Sequence, residues 1–197
     1  TDVIKNRVRL STNDMEAALD AENGTVTFVD YNSDSDYDVV YVQAFDTVVV
    51  DQVGYQSLKV TDLLTQREIT LEDAVCEVQR NGKSAGLNSL QSGDVADVYE
   101  GQYNGKPHYV FQICDSFEGV ITSVSSESVT VGDKEYRISD TFRRFSMNKL
   151  EFQQNMVFYV NGDGELAYAD PRDSEKPMYA YLCAVDYERS IDQGVKL

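Results

Sequence analysis

Residues 30–38 read Asp30-Tyr31-Asn32-Ser33-Asp34-Ser35-Asp36-Tyr37-Asp38, with four carboxylates and no Lys or Arg. Oxygen donors at alternate positions of a short loop are what a hard cation such as Ca²⁺ requires. Asp30, Asn32, Asp34, Asp36 and Asp38 fill positions 1, 3, 5, 7 and 9 of such a loop and are the candidate metal ligands. Carboxylates this close repel one another, so a cation would relieve the repulsion and order the loop together. Position 6 is Ser35 and position 12 is Tyr41, where an EF-hand carries Gly and a bidentate Glu, so a standard EF-hand is excluded. The expected affinity is weak, about 10⁻⁴ to 10⁻³ M, as in extracellular modules. The competing reading is a solvated Asx-rich hairpin loop without metal.

No other constellation is as suggestive. His108 is the single histidine and falls in a predicted strand, which points to a structural role. A Ser-His-Asp or Cys-His arrangement would have to run through it, and no nucleophile motif is present. Cys76, Cys114 and Cys183 are odd in number and widely spaced, which predicts buried free thiols rather than disulfides or zinc. No glycine-rich phosphate loop occurs. Arg143-Arg144 with Lys149 reads as a surface cluster near acidic partners. Tyr31 and Tyr37 flank the acidic loop and could form a sugar-stacking platform, although Tyr and Phe are also simply strand formers. Two carboxylates paired in space could serve glycoside hydrolysis, but among 34 acidic residues the sequence singles out no pair.

The elements that must carry these residues are short strands. Hydrophobic residues make up 42% of the 197 residues and charged ones 26%, a balance that suits a globular chain. The net charge of −17 argues against nucleic acid and anionic membrane surfaces as partners. No apolar run approaches the ~18 residues of a membrane span, and no signal-peptide pattern is visible. The abrupt start at Thr1-Asp2 suggests a mature or excised segment of something longer.

Runs such as Thr25-Val26-Thr27-Phe28-Val29, Val39-Val40-Tyr41-Val42 and His108-Tyr109-Val110-Phe111 alternate with turn signals at Asn81-Gly82, Asn104-Gly105 and Asn161-Gly162. This predicts an all-β chain of one or two small barrel-like or sandwich modules of antiparallel strands, with one short N-terminal helix over residues 12–20. The expected organisation is an N-terminal segment over 1–22, a first β module over 23–118 and a second over 119–170. A linker and terminal strand follow over 171–197. A faint repeat aligns Leu58-Lys59-Val60-Thr61 … Glu68-Ile69-Thr70-Leu71 … Cys76-Glu77-Val78 with Val120-Ile121-Thr122 … Ser128-Val129-Thr130-Val131 … Tyr136-Arg137-Ile138.

The order of these motifs, with Leu87-Asn88-Ser89-Leu90-Gln91-Ser92-Gly93-Asp94-Val95 and Gly119-Val120-Ile121-Thr122-Ser123-Val124, resembles the extracellular β modules found beside surface-layer-homology repeats in Gram-positive cell-surface proteins. The resemblance spans residues 23–170. It implies a secreted or cell-surface location and a non-catalytic structural or interaction role, with a protein or cell-wall glycan as partner. In that family a Gly often follows the third acid of the loop, where this chain has Ser35. A Ca²⁺-assisted carbohydrate-binding module is the second reading and a glycosidase-type enzyme the third.

Overall fold

The computed structural model describes residues 1–11, 14–20, 23–146, 150–171, 186–187 and 195–196. The protein is all-β, as the spacing of β-branched runs and turns predicts. Its first sheet holds β1 (Asp2–Lys5), β2 (Val8–Arg9), β3 (Gly24–Val29) and β4 (Val39–Ala44) in the order β2-β1-β4-β3, with β1 parallel to β4. Residues 24–44 therefore share a sheet with the N-terminal strands. In β4 the two-residue period sends Val40, Val42 and Ala44 into a small core with Val3 and Ala18, and turns Tyr41 and Gln43 to the opposite face.

The second sheet holds β5 (Asp46–Gly54), β6 (Lys59–Asp62), β7 (Glu68–Thr70), β8 (Val75–Arg80), β9 (Lys83–Ala85), β10 (Val95–Tyr103) and β11 (Lys106–Ile113), in the order β7-β6-β5-β10-β11-β8-β9. A register shift between Val50 and Gln52 bends β5. The sheet curls far enough that Val60 and Ile69 from one end and Val78 and Phe111 from the other meet in a single core. The third sheet holds β12 (Asp115–Val124), β13 (Ser128–Val131), β14 (Lys134–Arg137), β15 (Asn155–Val160) and β16 (Leu166–Pro171), in the order β14-β13-β12-β15-β16. It is bent likewise between Ile121 and Ser123 and wraps around Phe142, Met156 and Phe158. Full burial of each such side chain contributes about 1.5–3 kcal/mol.

The two curled sheets share one plan. Strands β7-β6-β5-β10-β11 and β14-β13-β12-β15-β16 follow the same order with a bulge on the corresponding strand. In both, the chain after the third strand pairs in parallel with the last one, through Val75 beside His108 and Ile138 beside Leu166. The backbone bonds at the bulges also correspond. Gly93 N–H donates to Val50 O and Val50 N–H to Asp94 O; Gln153 N–H donates to Ile121 O and Ile121 N–H to Gln154 O. Gly93 and Gln153 both sit at positive φ. The repeat is thus present with a different alignment from the one the sequence suggests: β5 matches β12, and β6 matches β13.

The expectation of a single, N-terminal helix is not borne out. Among the described residues of 12–20 only five are α-helical, α1 (Met15–Leu19), without a side-chain cap. The helix that builds a core is α2 (Asp140–Phe145), where Ser139 Oγ accepts from Phe142 N–H and Phe142 is buried. Arg143 on α2 pairs with Asp140, one turn back. Thr12, Lys149, Cys183, the expected linker beyond Pro171 and the strand over 178–185 lie outside the described residues.

Candidate functional site

The loop over 30–38 is ordered by its own side chains. Asp30 accepts from the N–H groups of Asn32 (3.2 Å), Ser33 (2.7 Å) and Ser35 (3.1 Å). Asn32 Oδ1 accepts from Asp34 N–H, Asp34 Oδ1 from Asp36 N–H, and Asp38 Oδ2 from Tyr31 N–H at 2.7 Å. This ladder allows the left-handed turns at Ser33 (φ 62°) and Ser35 (φ 76°). A cation would need the same oxygens aimed at one point. Among the described residues no group of three or more His, Cys, Asp or Glu converges in that way. Asp30, Asn32, Asp34 and Asp38 direct oxygens at backbone N–H groups, so as arranged four of the five candidate ligands serve the turn ladder, which Asp36 joins through its N–H.

The flanking aromatics Tyr31 and Tyr37 have different neighbours. Tyr37 packs on Phe28 with ring centroids 4.9 Å apart. Tyr31 lies near Tyr41 instead, and the Tyr41 hydroxyl is the main cause of the raised Tyr31 pKa, followed by slight desolvation and Asp38. The acidic loop therefore positions Tyr31 against a strand residue of the neighbouring site.

That site is a groove of about 590 Å³ between the outer faces of the first and second sheets. One wall is Ile4, Thr27, Tyr41 and Gln43, with Ile4 and Thr27 on either side of Tyr41 in the sheet register. The other wall comes from the face of the second sheet opposite its core. Tyr99 lies beside Val110, Gly101 beside His108, and Gln112 beside Gln79. His108 is 8% exposed, and its ring lies 6.0 Å from that of Tyr103. Burial raises the Tyr99 pKa, with Asp97, Asp163 and Cys114 adding to it, so the phenol stays neutral and can donate.

The turn Asn6-Arg7 closes one end. Asn6 Nδ2 donates to Ala44 O and to Glu100 O, both at 2.8 Å, and its Oδ1 accepts from Ala44 N–H. One side chain thereby joins the first sheet to β10. Gly101 makes the approach possible, because a Cβ there would lie 2.4 Å from Asn6 O. The chemistry of the walls is that of a binding surface: two phenol rings to stack on, and amides from Gln43, Gln79 and Gln112 that both donate and accept. No carboxylate lines the groove among the described residues.

Sequence reading misses the groove because its residues are scattered from Ile4 to Gln112 and most look like ordinary outward strand positions. The one local signal is the polar-aromatic outward face of β4 and β11. Comparison with protein-family models, curated proteins and solved structures finds no match to this chain.

Proposed function

We propose that the chain is a non-catalytic binding module of a secreted or cell-surface protein and that it holds a saccharide in the groove between its first two sheets. The groove itself carries the reading. Its volume falls in the range of small-ligand sites, and it pairs ring faces with convergent amides, the combination that suits sugar hydroxyls. Glycoside hydrolysis requires two carboxylates across the scissile bond. The walls supply none among the described residues, which favours binding over cleavage. The surface location rests on the resemblance of residues 23–170 to modules beside surface-layer-homology repeats; a signal peptide and wall-binding repeats in the flanking reading frame would support it.

The test is a glycan array followed by calorimetry on Tyr41→Ala and Gln112→Ala, two residues at the surface of the groove. Each should weaken binding at least about tenfold, the equivalent of about 1.4 kcal/mol, without lowering the melting temperature. Undiminished binding in both variants, or no saccharide bound by the wild type, would count against the groove.

Calcium binding at residues 30–38 stands apart from this proposal and has its own test. A cation would have to take over oxygens now bonded to backbone N–H groups, so the loop is expected to stay ordered without it. Millimolar Ca²⁺ should leave the melting temperature unchanged; a rise that Asp34→Ala abolishes would show that the acidic loop binds the ion.

A further inference from the structure

Asn6 and Arg7 form the two-residue loop of the β1–β2 hairpin, in which Lys5 pairs with Val8. Both residues have positive φ, 45° and 70°. Two-residue hairpin loops of this kind favour Asn followed by Gly, because left-handed backbone crowds any Cβ. Asn6 suits its place. Arg7 stands where Gly would be more stable, and its side chain lines the groove. A side chain kept in a strained conformation at the edge of a cavity points to a use for that side chain.

The electrostatics indicate which use. The chain carries a net charge of −17, yet the groove walls present a guanidinium and no carboxylate among the described residues. Among the described residues Arg7 and Arg144 make no ion pair, whereas Arg9, Arg67, Arg80, Arg137 and Arg143 do. The Arg7 charge is felt by Glu77, whose carboxylate already accepts from Gln79 (3.0 Å) and Ser84 (2.8 Å). Those two hydrogen bonds are the main reason its pKa is lowered, with His108 and Arg7 contributing less. We propose that the groove takes a saccharide bearing a carboxylate, a uronic acid or similar sugar acid, and that Arg7 is the residue that binds the carboxylate. A planar guanidinium matches a carboxylate with two parallel hydrogen bonds, which an ammonium does not. The proposal rests on the reading of the groove as a sugar site.

The experiment titrates wild type, Arg7→Gly, Arg7→Lys and Tyr41→Ala with uronic acid oligosaccharides and their neutral counterparts. Wild type should bind the acidic sugars at least tenfold more tightly, and the preference should fall with added salt. In Arg7→Gly the preference should vanish while the melting temperature holds or rises, since Gly suits the turn. Arg7→Lys should retain only part of the preference. Tyr41→Ala should weaken both ligands alike. Equal binding of acidic and neutral sugars by wild type, or a preference that survives in Arg7→Gly, overturns the role of Arg7 and leaves the groove standing. Binding of neither class overturns the sugar reading and the proposal with it.

Discussion

Asp62 is 3% exposed and accepts hydrogen bonds from Val49 N–H, Leu64 N–H, Thr65 N–H and the Thr65 hydroxyl. It ends β6 and fastens the following turn to β5. Asp62→Ala would leave these donors buried without an acceptor, at a cost of about 3 kcal/mol in urea unfolding, with Asp62→Asn losing roughly half as much. A loss below about 1 kcal/mol in the Ala variant would show that the turn rearranges. Asp97 is buried too, holding Thr47 Oγ1 at 2.6 Å and the Gly162 N–H at 2.7 Å. Burial raises its pKa, while these hydrogen bonds oppose the shift. A carboxyl with a raised native pKa binds its proton more tightly folded than unfolded. Its contribution is therefore fully present below the unfolded value of about 4 and is lost as pH rises through the native one. Stability measured across that window should fall more steeply with rising pH in wild type than in Asp97→Asn; parallel curves would remove Asp97 from the account. The same burial pushes the Cys76 thiol up to about 11, and raises Cys114 further with help from Asp97, so both thiols are poor nucleophiles at neutral pH.

At the scale of elements, the strands and their turns were legible because each depends on neighbours in sequence. Val-rich runs ended by Asn81-Gly82 and Asn104-Gly105 fold as hairpins, with both Asn residues at positive φ, near 51°. Helix α2 was overlooked, although Ser139 followed by Asp140 is a usable start signal, because Phe142 and Phe145 read equally well as strand. Pairing across sequence was not legible. Nothing local says that β1 lies parallel to β4, or that β5 rather than β6 begins the repeated unit. The acidic loop was visible as a feature, and its sequence suits two uses, since alternate Asp and Asn residues serve a ladder of Asx turns as well as a metal. Asp30→Ala removes the acceptor of three backbone N–H groups. On an exposed loop this should cost less than about 1 kcal/mol globally, yet raise amide exchange at Ser33 and Ser35. Unchanged exchange would mean that the flanking strands alone hold the loop.

For the whole molecule, a few contacts decide whether three sheets act as one body. Asn6 ties the first sheet to β10, Gly24 N–H ties it to Asp163 Oδ2 at 2.9 Å, and Asp97 ties the second sheet to the third through Gly162. Val49, Val95 and Ala167 add a small apolar contact between the two curled sheets. The groove depends on the first of these ties, because its walls belong to different sheets. Gly101→Ala would drive a Cβ to within 2.4 Å of Asn6 O, and Asn6→Ala would delete the hydrogen bonds to Ala44 and Glu100. Each should cost about 2 kcal/mol. Amide exchange should rise in residues 2–9 and 39–44 while residues 115–171 stay protected, because the third sheet has its own core around Phe142 and Phe158. Saccharide binding should fall with the loosening of the first sheet in both variants. A uniform rise in exchange over all three sheets would instead mean that they unfold together, and the groove would then be a seam in a single cooperative core.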